Sequence, residues 1–406
     1  MHQKNIATTR TLCVGLLAVL LMFAPAAFAG EPSKSKAEAP KELPNPIRLV
    51  LPPAIYAVPG VEMNVYFDNV VLTPNPANYV FDVACSRGIQ QAERWTYTPA
   101  PGEIGESPFQ LEVRNAQNEV IARAESTLKV VSADAGAGRA VSMLIIGDSL
   151  TAASVYPQRL LELCQGPGNP KLKLIGSYGP GGVPGVNRHE GYGGWTAQRF
   201  ATHYTPTPRQ GDRKGRGSPF LYLGEDGKPK LDFARYCKEF NDARGPDFVT
   251  IFLGCNDTFS STDETIEENI ASMFKYYDML IEMIHGVRPD TVIGAMILVP
   301  PAATQDAFGA NYRCGQTRWQ YKRNQHRVVE RMLAKYGGRQ KEFVELVPIQ
   351  LNLDCRHNYP VKIAPWNAQA TAEGLRLANG VHPASAGYNQ IGDSLYAWLK
   401  SQLNPK

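Results

Sequence analysis

The chain has 406 residues, 43% hydrophobic and 20% charged, with a formal net charge of +4 at pH 7. Residues 1–29 hold Lys4 and Arg10 but no acid, so the remainder carries a charge of only +2. Such a balance argues against nucleic acid as the main partner. The first segment, 1–29, reads as an export signal: a positive start, an apolar run over 12–23 broken only by Gly15, and the small-x-small site Ala27-Phe28-Ala29. The run is too short to span a bilayer comfortably, so no stable membrane insertion is expected once it is cleaved. Cys13 lies at the front of that run rather than its end, which argues against a lipid anchor. A secreted or periplasmic protein starting near Gly30 is expected. Residues 30–46, rich in Pro, Lys, Glu and Ser, read as a disordered linker.

From 47 to 132 the texture becomes β-prone, with runs at 47–51, 62–67, 79–83, 94–97, 109–114 and 126–131 separated by Pro/Gly turns. Alternation such as Phe109-Gln110-Leu111-Glu112-Val113 marks a half-buried strand. A small all-β sandwich of Ig-like type is predicted, followed by a short hinge over 133–140. From 141 to 406 strands and helices alternate. The strands are expected at 141–146, 172–176, 248–253, 291–298 and 343–347, and the main helices at 264–285, 318–336 and 386–402. That order predicts an α/β domain whose parallel sheet is covered on both faces, with its chemistry at the carboxyl ends of the strands. Of the six cysteines after residue 29, none sits in a CxxC or metal-ligand spacing. Their pairing stays open, Cys314 with Cys355 being one suggestion. No histidine sits in a metal-ligand spacing either, so neither metal nor other cofactor is implied.

Four short signals lie on the expected strand-end loops. Gly147-Asp148-Ser149-Leu150 ends the first strand and predicts a sharp strand-to-helix turn that exposes a serine hydroxyl. Gly191-Tyr192-Gly193-Gly194-Trp195-Thr196 lets the backbone come close to a ligand and point an N–H at it. Gly254-Cys255-Asn256-Asp257 ends another strand and offers the Asn256 amide as a donor. Asn379-Gly380-Val381-His382-Pro383 precedes the last helix, and His382 can act as a general base if it reaches Ser149. A nucleophile, two oxyanion donors and a base together meet the needs of acyl transfer.

This ordered set resembles the GDSL/SGNH hydrolase family over residues 141–402. The resemblance implies a flavodoxin-like α/β/α sandwich with five parallel strands. It also implies Ser149 as nucleophile, and an oxyanion hole built from the N–H groups of Ser149 and Gly194 and the Asn256 side chain. One position departs from the family pattern, which usually has aspartate three residues before the histidine where this chain has Asn379. In a serine protease the equivalent change costs about 10⁴ in turnover. Two alternatives stay open: Asn379 accepts from the ring N–H through its amide oxygen, or a backbone carbonyl does so and a Ser–His dyad operates.

The expected substrate is a short-chain ester, with O-acetyl groups on a polysaccharide or oligosaccharide favoured. The export signal, the appended sandwich, and the aromatic and polar residues Tyr192, Trp195, Asp257, Trp319, Tyr321, Tyr359 and Trp366 suit sugar faces and hydroxyls. A long loop over 205–232 is expected to wall the cleft, and its basic run, Arg209, Arg213, Lys214 and Arg216, reads as solvated. The competing readings are a catalytically weak or dead glycan-binding protein, and a lipase or thioesterase of the same fold.

Overall fold

The computed structural model describes residues 47–182, 185–206, 217–311 and 317–404. The export signal, the linker, the basic run of 209–216 and Cys314 therefore lie outside the described residues. Residues 45–406 form one compact unit. Five strands build its central sheet: β1 (Ala140–Gly147), β2 (Lys171–Ile175), β3 (Phe248–Phe252), β4 (Val292–Met296) and β5 (Val344–Val347). They pair in the order β2-β1-β3-β4-β5, every pair parallel, with the short strand Glu190–Gly191 extending the β1 edge beyond β2. Their apolar runs are buried because helices cover both faces. The order reverses beside β1, which opens a crevice at the carboxyl ends of β1 and β3.

Helix periodicity explains the cover. In Ile266–His285 the buried positions Ile266, Ile270, Met273, Phe274, Tyr277, Leu280, Ile281 and Ile284 recur three and four apart, and Glu267 and Glu268 sit in its first turn. Arg318–Tyr336 starts at Thr317, whose hydroxyl accepts from Gln320 N at 3.1 Å. The last helix, Ser385–Leu403, packs Trp398 against β4 at Gly294, where an added Cβ would lie 2.9 Å from the indole. No helix among the described residues is long and apolar enough to cross a membrane.

Ahead of this sheet, a four-stranded sheet (Ala54–Ala57, Val120–Val130, Gly105–Arg114, Val80–Ala84) and a three-stranded one (Met63–Tyr66, Arg94–Tyr97, Ile89–Gln90) enclose one apolar core. Val65, Trp95, Phe109, Leu111, Val113 and Leu128 fill it. So does Leu351, which belongs to the 3-10 turn Ile349–Asn352 just after β5. The stretch 132–139 runs through tight turns, in which Gly138 N donates to Asn169 O and Gly136 lies against Leu403. Among the elements not foreseen are two hairpins, one within the loop of 205–232 (Leu221–Leu223 with Pro229–Leu231) and one just upstream of Asn379 (Val361–Pro365 with Glu373–Leu377). Cys355 is a buried free thiol that donates to Asn69 Oδ1, while its suggested partner Cys314 lies outside the described residues.

Candidate active site

At the end of β1 the chain has no room for a side chain at 147: a Cβ on Gly147 would lie 1.9 Å from Thr151 Oγ1. This lets β1 pass directly into the helical turn Ser149–Ala152, which Asp148 caps by accepting from Leu150 N at 2.9 Å. Asp148 and Leu150 are buried, while Ser149 between them is only partly so. Its hydroxyl therefore stands at the mouth of the crevice.

The glycine loop is bound to the same strand end, since Tyr192 N donates to Gly147 O at 2.9 Å. Tyr192 to Trp195 is a turn closed by Trp195 N to Tyr192 O, with Gly194 at φ +75° in the left-handed region. An added Cβ at Gly194 would meet nothing within 4 Å, so this backbone faces open space. From the end of β3, the Asn256 amide nitrogen donates to Asp148 Oδ2 and to Trp195 O, both at 3.1 Å. One side chain thus joins the serine turn, the glycine loop and the β3 loop. Asp257 accepts from Ala197 N at 3.1 Å and holds the start of the next helix. Burial pushes Asp148 up to about 7, helped by the nearby charge of Asp257, and burial likewise lifts Asp257 to about 7.

His382 reaches Ser149, with Nε2 2.8 Å from Oγ. Burial lowers its pKa below the ordinary histidine value, which keeps the imidazole neutral and able to take a proton. The Asn379 side-chain oxygen accepts from the backbone N–H of Val381 (3.0 Å) and His382 (2.9 Å). It thereby folds the loop that carries the ring.

Serine, histidine, asparagine and the glycine turn thus converge, but the aromatics named beside them do not all face the crevice. Tyr192 is fully buried and its hydroxyl is bonded to Glu190. Trp195 is 3% exposed and packs on Tyr192, Phe200 and His203. Tyr321 and Tyr359 are core residues too, whereas Trp366 is 52% exposed and Trp319 half-buried. Apolar packing outweighed exposure in the glycine loop, because its turn points the backbone, not the rings, outward. Sequence reasoning missed the anchoring role of Asp148 and the carboxylate of Glu190. Glu190 is wholly buried and accepts from Ser177 N, Ser177 Oγ and Tyr236 Oη at 2.7–2.8 Å. A buried acid among hydroxyl donors leaves no local pattern to read.

A comparison with curated proteins found no match. Among solved structures, the chain is similar to the Axe2 acetylxylan esterase from Geobacillus stearothermophilus (15% identity, TM-score 0.32, covering 64% of this chain and 94% of that one). It is also similar to a carbohydrate acetylesterase family member from Sinorhizobium meliloti (13%, TM-score 0.35, 65% and 99%). A third is a gut microbial diltiazem-metabolizing enzyme (11%, TM-score 0.29, 52% of this chain), of whose length the match spans only 36%. Residues 143–395 match the family model described as GDSL-like Lipase/Acylhydrolase. That span is more than half of the chain, which therefore belongs to this family of hydrolases acting on esters.

Proposed function

We propose that the protein is a serine esterase that removes O-acetyl or similarly short acyl groups, with acetylated carbohydrate as its substrate class. The observation that carries the catalytic part is the 2.8 Å contact between His382 Nε2 and Ser149 Oγ. His382 takes the hydroxyl proton as Oγ attacks the ester carbonyl, then returns it to the departing alcohol, leaving an acyl-serine. Water, deprotonated by His382, attacks the acyl carbon and releases the acid and free Ser149. Backbone N–H groups of Ser149 and Gly194 and the amide of Asn256 receive the oxyanion. In the free enzyme the Asn256 nitrogen already serves Asp148 and Trp195, so one of these bonds exchanges when the oxyanion forms. Asn379 acts here by shaping the loop around His382.

For the carbohydrate part, the support is the export signal read in the sequence, together with the exposed Trp366. The joined Ser149–His382 pair favours catalysis over the receptor reading. The test is acetate release from acetylated xylan, acetylated pectin and p-nitrophenyl acetate, with Ser149→Ala alongside, plus a series of aryl esters of rising chain length. Serine-dependent release that fades beyond about C4 is expected, because an acetyl-sized pocket is overpacked by longer chains. Turnover that rises with chain length would make the enzyme a lipase or thioesterase.

A further inference from the structure

The β-sandwich touches the region of His382 by two hydrogen-bonded routes that start within a few residues of each other. The first begins at Asn64, whose backbone N–H and side-chain amide both donate to Asn352 Oδ1, at 3.0 and 2.8 Å. Both asparagines are 1% exposed. Asn352 Nδ2 donates to Gln390 O at 3.3 Å. The Gln390 side-chain oxygen in turn accepts from Asp354 N and Asn358 Nδ2, both at 2.9 Å. Asn358 O then accepts from Ala384 N at 2.9 Å, two residues after His382.

The second route begins at Asp68, which pairs with Arg318 at 3.0 Å and with the buried Lys322. Arg318 Nε donates to Ala302 O at 2.9 Å, and Ala302 N donates to Gly380 O at 3.1 Å, two residues before His382. Between the routes, Asn69 donates to Gln350 O and Leu353 O at 2.8 Å each. The loop carrying the histidine is therefore gripped on both sides of the ring. We infer that the sandwich is a positioning element for His382, acting through Asn64–Asn352–Gln390–Asn358 on one side and Asp68–Arg318–Ala302 on the other. The inference rests on the reading of His382 as the base. Misplacing a catalytic group by an ångström costs up to about 10² in rate, so such a grip is felt in turnover rather than in substrate binding.

The test uses the protein from residue 30 onward with Gln390→Ala, Arg318→Met and the double variant. Gln390→Glu is the conservative partner, because its carboxylate still accepts from Asp354 N and Asn358. Arg318→Met leaves Asp68 its Lys322 partner. Val113→Ala, in the sandwich core and a member of neither route, controls for general loss of stability. Expected are kcat losses of about 10-fold for each single variant and about 100-fold for the double, with KM nearly unchanged. Gln390→Glu should stay close to wild type. The acid limb of kcat/KM should also move up, as water reaches His382. Hydrogen exchange at residues 379–384 should quicken in the route variants and not in Val113→Ala. Unchanged kcat and exchange in the double variant, or equal losses in Val113→Ala, would overturn the inference. If His382→Ala kept full turnover, the catalytic reading would fall, while the exchange of 379–384 would still decide whether the sandwich grips that loop.

Discussion

The two halves of the Ser149–His382 pair are held in opposite ways. Ser149 is fixed mainly by its own neighbours: the strand before it, the absent side chain at Gly147, and the cap of Asp148 on Leu150 N, with Asn256 bracing Asp148 from outside. His382 sits on a loop whose fastenings reach Ala302, Asn358 and, through them, residues 64 and 68. On the proposed reading, the nucleophile is set mainly by local geometry, whereas the base hangs from distant segments, and that is where the rest of the molecule can act on catalysis.

The sharpest break is removal of either partner. Ser149→Ala or His382→Ala should lower p-nitrophenyl acetate turnover by about 10⁴-fold or more, with thermal unfolding little changed; residual turnover near wild type would dissolve the pair. Next comes the link between the loops: Asn256→Ala should cost about 10²–10³ in kcat, as one oxyanion donor does elsewhere. It should also leave Asp148 without one of its hydrogen-bond donors. Asn379→Ala tests the hung side alone. Losing its bonds to the amides of Val381 and His382 removes about 1 kcal/mol of local stabilisation, so turnover should fall by about fivefold with KM constant. No change would mean that the loop does not need its own turn.

The smallest effect is in the pH profile. Burial favours neutral His382, so the base form persists below the ordinary histidine value of 6.5, and its acid limb should lie under that pH. Asp148 and Asp257, lifted to about 7, are charged above that pH and lose their charge as pH falls through it. A shallow second limb near 7, absent in Asp148→Asn, would show that the charge on Asp148 helps to hold Asn256. A single limb below 6.5 would leave the histidine alone in control.

The serine side was the more legible in sequence for the same reason that it is locally held. Gly147 to Leu150, Gly194 and Asn256 each sit in a short motif at a strand end, and strand ends in a parallel sheet share one edge. The parallel pairing of the five strands likewise follows from strands that alternate with helices. Tyr192 and Trp195 were misplaced because a motif does not say which way a turn aims its rings. The Glu373–Leu377 strand was missed although Glu373-Gly374-Leu375-Arg376-Leu377 alternates, because Gly374 reads as a breaker; in the fold it makes room for the indole of Trp366. Bonds such as Asn64 to Asn352 join residues 288 apart, and nothing in either neighbourhood announces the other.

Leu351 carries a consequence for how the molecule comes together. It lies in the sandwich core among side chains from strands that end at Val130. When the chain emerges with its N-terminus first, the sandwich strands precede the central sheet, and their core is complete only when the 351st residue arrives. Until then it keeps a vacancy of one leucine, and the turn that follows β5 completes the oldest part of the fold as it closes the central sheet.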